Sequence, residues 1–266
     1  MKNWLNSVFV LGCLVFTASI SGQEMFLKVK SGSITLNNQK ITSKDITQPV
    51  TSGAKISIAN KNCIVVVRQG KKLIQLSELK SYSYNQLLNL LKRQKVSSAS
   101  TYSGVLFAED MQKSRNQIKS GAVTRGGEKS VNWQDVQFNL PNSSTVLVNE
   151  FSIVVDHDEV EIVEASLIFP NGSSSQMKVK EGKRFDVTLG DAGIYQWSAI
   201  LRLKDDAEVN NYTYNATFRV PNKTESAPIM EQWEQFLKDI SCFDDLVQNQ
   251  LKQAYMQTNK LLLGSN

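Results

Sequence analysis

The chain carries a single histidine, three cysteines and five prolines in 266 residues. One histidine and so few thiols leave no material for the usual zinc, haem or iron–sulfur ligand sets. Five prolines and fourteen glycines exclude a collagen-like or proline-rich chain. After the first 22 residues, no run reaches the roughly 18 apolar residues that a membrane helix needs. What is there is an ordinary globular composition, 41% apolar and 21% charged, too apolar for a wholly unfolded polypeptide.

Residues 1–22 read MKNWLNSVFVLGCLVFTASISG, with Lys2 as a basic start, an uncharged apolar core from Val8 to Phe16, and then Ala18, Ser19, Ser21 and Gly22. This is the pattern of a secretory signal peptide. It predicts cleavage near Gly22–Gln23 and an exported chain, periplasmic or at the cell surface, with no transmembrane segment after cleavage. Two other readings are lipid modification at Cys13 and an uncleaved anchor. Leu14, Val15 and Phe16 continue the apolar run past Cys13, where a lipoprotein turns polar. Cys63 and Cys242 remain after cleavage and could form one disulfide in an oxidising space. Cys63 lies in the apolar run CIVVV and Cys242 on a predicted helix, which favours two buried thiols.

Charge is uneven. Residues 23–130 hold 18 basic and 6 acidic side chains, a net of +12, while 131–220 hold 7 and 13, a net of −6. Such asymmetry fits either two solvated domains of opposite sign or a basic half that meets an anionic partner. Export disfavours nucleic acid.

Residues 23–95 read as a small β domain closed by a helix. FLKVK, SITL, KISIA, CIVVV and LIQL are separated by the turn formers Ser31-Gly32, Asn37-Asn38, Ser52-Gly53 and Gln69-Gly70, which predicts antiparallel strands with one buried face each. In SYNQLLNLLKRQK, Leu87, Leu88, Leu90 and Leu91 recur at helical spacing and Ser83 offers an N-cap, so a docking helix is expected. Residues 96–130, rich in Ser, Gly and Lys, read as a flexible linker with Val105-Leu106-Phe107 as their one apolar knot. Residues 131–221 return to β, with VQFNL, TVLV, FSIVVD, VEIVEASLIF, QMKVK, FDVTL, IYQWSAILRL and YTYNATFRV as strands. That number of strands at that spacing predicts a β-sandwich.

Residues 222–266 predict one amphipathic helix. Trp233, Phe236, Ile240, Phe243 and Val247 step by three and four along it, Pro228 sits near its start and Gly264 just past its end. A stripe this long fits either packing within the chain or a partner-binding face. These five residues are the candidate partner-binding set.

Two resemblances follow. The strand ending in Lys30-Ser31-Gly32-Ser33-Ile34, followed by ITSKDITQPVTSGAKISIANKNCIVVV, resembles the FecR-like extracytoplasmic domain of bacteria, with Asp45, Gly53 and Gly70 at its turn positions. The resemblance implies a bacterial envelope protein with a possible place in envelope signalling. FecR regulators carry a cytoplasmic anti-sigma segment and a membrane helix before this domain, and here a signal peptide stands instead. Asp191-Ala192-Gly193-Ile194-Tyr195-Gln196-Trp197 resembles the D-x-G-x-Y-x-C corner of immunoglobulin-like domains, with Trp197 at the cysteine position. It implies a corner tyrosine bonded to upstream backbone, and a tryptophan that fills the space between sheets.

Chemistry is scarce. His157 lies in the polar run Asp156-His157-Asp158-Glu159, and no Gly-x-Ser-x-Gly is present to pair with it. The acidic run could offer calcium oxygen ligands but lacks the spacing of an EF-hand loop. Thr124-Arg125-Gly126-Gly127-Glu128-Lys129 lacks the ending of a phosphate loop. Asn142, Asn171, Asn211, Asn215 and Asn222 each begin an Asn-x-Ser/Thr triplet, a number that composition largely supplies.

The expected fold is therefore mainly β: a small FecR-like domain, then an immunoglobulin-like sandwich, with two helical segments. The expected role is non-enzymatic protein–protein interaction or scaffolding with another envelope protein. No cofactor, metal or catalytic residue is assigned. The alternative is a carbohydrate or envelope-polymer binding module, in which the basic half meets an anionic glycan and Tyr82, Tyr84 and Tyr102 stack on it.

Overall fold

A computed structural model describes residues 24–94, 98–107, 133, 136–204 and 211–263. The segment expected to be a signal peptide, and Gly264, lie outside them. The fold is mainly β.

The N-terminal module runs β1 (Met25–Ser31), β2 (Ser33–Leu36), β3 (Gln39–Thr42), β4 (Gln48–Val50), β5 (Lys55–Ile58), β6 (Ile64–Gln69), β7 (Lys72–Leu76), β8 (Ser81–Ser83) and α1 (Tyr84–Arg93). Two antiparallel sheets, β4-β1-β6-β7 and β3-β2-β5-β8, share one core. Leu27, Val65 and Val67 enter it from the first sheet and Ile34, Ile56 and Ile58 from the second. Five strands were expected; β3, β4 and β8 are additional. α1 forms as its spacing predicts. Ser83 and Gln86 close a capping box, and Leu87 and Leu91 are fully buried in the same core.

The second module runs β9 (Gln137–Phe138), β10 (Ser144–Val146), β11 (Glu150–Asp156), β12 (Val160–Ile168), β13 (Ser174–Met177), β14 (Val179–Lys180), β15 (Arg184–Thr188), β16 (Gly193–Leu203) and β17 (Tyr212–Val220). All eight expected segments carry strands. The expected strand QMKVK divides because the chain changes sheets there, β13 joining β12 and β14 joining β15. One sheet has the order β14-β15-β11-β9, and the other contains β13-β12-β16-β17-β10. Phe185 and Ile153 from the first meet Trp197, Tyr195 and Phe218 from the second in one core. Tyr195 donates its hydroxyl to the Asp191 carbonyl at 2.8 Å, the contact expected of the corner. Gly193 is required there, since its φ is +146° and a Cβ would stand 2.6 Å from the Pro170 Cβ. Trp197 is 2% exposed and packs against Phe138, Phe185 and Tyr214, filling the space between sheets by bulk.

The third layer was not foreseen as a unit. It consists of α2 (Ala99–Tyr102), a further helical turn at 104–107, α3 (Lys223–Ile240), α4 (Asp245–Thr258) and β18 (Leu261–Leu262). The single helix expected over 222–266 is thus two helices and a short strand. It breaks because Asp244 adopts an extended ψ of 152° and caps a new helix through Leu246 N–H. The linker expected over 96–130 is folded where it is described: Ala99 and Leu106 are fully buried, while 108–130 lie outside the described residues.

This layer covers the outer face of the β4-β1-β6-β7 sheet. Val66 and Leu73 point outward from that sheet into a third core with Ala99, Leu106, Phe236, Ile240, Val247 and Leu251. Strand β6 therefore buries both faces, Val65 and Val67 inward and Val66 outward, where one buried face was expected. An uninterrupted valine run is what a strand covered on both sides requires. Polar ties fix the layer. Asp244 N–H donates to Gln75 Oε1 on β7 at 2.8 Å. Ser98 donates to Asp239 Oδ2 through both its N–H and its hydroxyl. Lys30 Nζ donates to the Leu106 carbonyl at 3.2 Å. The chain then leaves α4 and adds β18 in parallel to β10 of the second module, pairing Thr145 with Leu261 and Val146 with Leu262.

Candidate interaction surfaces

The five residues offered as a partner face lie largely inside the molecule. Phe236 and Ile240 on α3, Phe243 in the turn and Val247 on α4 are at most 9% exposed. Trp233 is half-buried and stacks on Phe236. Their contacts are with Val66 and Leu73 of the first module and with Tyr102 and Leu106, so the apolar stripe is consumed by the chain itself. This corrects the reading of the stripe as a free docking face. A stripe records that something apolar covers it, and here the cover lies well over a hundred residues away in sequence.

The tyrosines offered for stacking on a sugar are likewise occupied. Tyr82 is 3% exposed in the first core, and Tyr84 packs against that core. Tyr102 meets Phe236 edge-on at 5.4 Å and lies 5.0 Å from the Tyr255 ring. Cys63 is buried as expected, and burial pushes its thiol pKa up. Cys242 is exposed, contrary to expectation, because it sits in the turn between α3 and α4. Both are free thiols, so no bridge joins them.

Lys183 holds the acidic turn around His157. Lys183 Nζ reaches the carbonyls of His157, Asp158 and Val160. Burial and the neighbouring Lys204 hold its pKa below the ordinary lysine value. Among the described residues no group of three or more His, Cys, Asp or Glu side chains is placed to hold a metal ion. No described helix is long and apolar enough to cross a membrane.

A shallow recess lies on the outer face of the six-stranded sheet. Side chains alternate across a strand, so the partners of buried Leu167, Trp197 and Ala216 point outward. Their register makes two rungs, Ser166–Ser198–Asn215 and Ile168–Gln196–Thr217. With Asn142 they line an open depression of about 330 Å³. Ser166 and Ser198 share a hydrogen bond at 2.8 Å. Asn142 Oδ1 accepts from the Thr217 N–H at 2.9 Å and from its hydroxyl at 3.2 Å. None of the lining side chains is charged. Ile168 on β12, within the lining, is 38% exposed, and Ile194 on β16 beside it is 62% exposed. Sequence reasoning named Asn142 and Asn215 only as Asn-x-Ser/Thr positions and Gln196 only within the corner motif, and joined none of them into a face. Its signal was present as every second residue of SLI, QWS and NAT, but only the register shows that these positions meet.

No protein-family model matches the chain, and no curated protein matches it as a relative.

Proposed function

We propose that this is an exported, non-enzymatic scaffolding protein of the bacterial envelope that binds another envelope protein through the outer face of its six-stranded sheet. The observation that carries the reading is that face itself. It combines two exposed isoleucines with a recess lined by amides and hydroxyls, and Arg219, paired with Glu225, stands across from Ile194; apolar anchors beside an arginine and hydrogen-bonding groups suit a protein interface. The third layer supports the scaffolding part. One C-terminal segment packs its helices on the first module and adds its last strand to the second, which fixes a surface for a partner to read.

The family readings are proposals of the same standing. For a FecR-like first module the support is its turn chemistry. Asp45 accepts the Thr42 N–H and hydroxyl, and Gly53 and Gly70 hold positive φ. For an immunoglobulin-like second module the support is the corner tyrosine and the parallel pairing of β10 with β17 across from a β15-β11 pair.

The test is crosslinked co-purification of the full chain from its own envelope, comparing the wild type with Ile194→Arg and with Lys223→Glu on the exposed start of α3. One dominant protein captured by the wild type and by Lys223→Glu, and lost with Ile194→Arg, is the expected result. Equal capture by all three contradicts the assignment of the face. Removing residues 228–266 is not a usable comparison, because it strips the cover from Val66 and Leu73.

A further inference from the structure

Another exposed sheet face belongs to β3-β2-β5-β8, and its outward residues form three rungs. The middle rung crosses all four strands as Lys40–Thr35–Ser57–Ser81. On one side of it lies Thr42–Ser33. On the other lies Asn37–Lys55–Ser83, where Lys55 pairs with Ser83 and exchanges hydrogen bonds with Asn37 through its N–H and carbonyl. The intervening rungs, Ile41–Ile34–Ile58 and Leu36–Ile56–Tyr82, point into the first core. The outward side chains of these rungs are therefore ammonium, hydroxyl and amide, with no large apolar group; the Asp45 carboxylate accepts from Thr42 at one edge, Ser57 and Ser81 share a hydrogen bond, and Ser83 caps α1. Strand and residue spacing make it a plate of about 14 by 14 Å. Lys40 and Lys55 are exposed and have no ion-pair partner among the described residues. Residues 24–94 as a whole carry 12 basic against 3 acidic side chains.

We propose that this face binds an extended anionic polysaccharide, its lysines meeting the acidic groups and its hydroxyl rungs meeting the sugar hydroxyls. The proposal is independent of the partner surface on the other module. Charge complementarity sets the sign of the ligand. The absence of an apolar anchor on the face argues against a protein hot spot or an inserted membrane surface. An open, exposed sheet face suits a polymer lying across it better than a small molecule, which binds in an enclosing pocket.

The test uses the full chain without residues 1–22 and measures binding to polygalacturonate, to neutral dextran, and to vesicles of phosphatidylglycerol and phosphatidylcholine, at low and at physiological salt. Two charge reversals of equal size are compared. Lys40→Glu with Lys55→Glu changes the face, and Lys71→Glu with Lys92→Glu changes the far end of the same module. All four lysine positions are exposed or edge-lying surface sites, and circular dichroism checks that both variants fold. The expected result is salt-sensitive binding to polygalacturonate and not to dextran, weakened about tenfold or more by the face variant and only a few-fold by the control. Equal weakening by both variants overturns the assignment of the face. Binding to vesicles in preference to the polymer, or to neither, overturns the ligand.

Discussion

Phe236→Ala separates a buried α3–α4 stripe from a partner-binding one. Phe236 is 1% exposed. Its ring lies 4.4 Å from Tyr255, 5.4 Å from Tyr102 and 5.7 Å from Trp233. Truncating a buried phenylalanine costs about 3–5 kcal/mol through lost transfer energy and the cavity left behind. The three ring contacts, each worth about 0.5–1.5 kcal/mol beyond area, place this site in the upper half of that range, near 4 kcal/mol. A domain of ordinary stability has about 5–15 kcal/mol in total, so the loss is large. Urea unfolding of the purified chain, with no partner present, should show the midpoint moving sharply down with the slope retained. A partner face would behave oppositely: the isolated chain would lose less than about 1 kcal/mol and only binding would suffer. That smaller loss would refute the third core.

Three further outcomes follow from local geometry. Tyr195→Phe removes the 2.8 Å bond to the Asp191 carbonyl and should lower stability by about 1 kcal/mol, read as a shift in the thermal midpoint. A thiol reagent followed by peptide mass spectrometry should modify Cys242 in the native chain and reach Cys63 only after unfolding, since one is exposed and the other buried; rapid labelling of Cys63 would contradict its position. Three carboxyls are held below the ordinary range: Asp45 by Thr42, Asp186 by Lys180 and Ser152, and Asp239 by Ser98. A lowered folded pKa means that the unfolded state takes up protons first, so their contribution is complete above about pH 5 and is lost as pH falls through the folded values. Asp239→Asn should therefore flatten the acid limb of the stability–pH curve and leave the neutral region nearly parallel to the wild type.

The sandwich was legible because its main strands, β11, β12, β15, β16 and β17, are five residues or longer and largely alternate, and because the corner motif is local. Asp191, Gly193 and Tyr195 lie within one turn of chain, so their geometry follows from their spacing. The capping box at Ser83 and Gln86 is likewise a short-range device. β3, β4 and β8 escaped notice because each is three or four residues long and contains Gln, Lys, Pro or Ser in place of a β-branched run. The third core escaped because its pieces stand at 66–73, 99–107 and 236–255, and no single window contains two of them. Even so, two signals were in view. Three successive valines after Cys63 demand cover on both faces of a strand, and Asp244-Asp245 ahead of a fresh apolar run is a helix start. The stripe read smoothly through the break because the turn at 241–244 kept Ile240, Phe243 and Val247 on one side. The recess on the six-stranded sheet was invisible for a different reason: a polar sheet face looks like any solvated face until the register shows which hydroxyls and amides share a rung.

The claim on which the scaffold rests is that the C-terminal helices close over the first β module as part of its fold. Native-state amide hydrogen exchange on the wild-type chain tests it directly. The account predicts that amides in the Phe236–Ile240 and Val247–Leu251 segments share the slow exchange and the denaturant dependence of Val66 in β6, one cooperative unit. Helices that exchange rapidly while β6 stays protected would show a layer resting on a module complete without it, and would contradict the account.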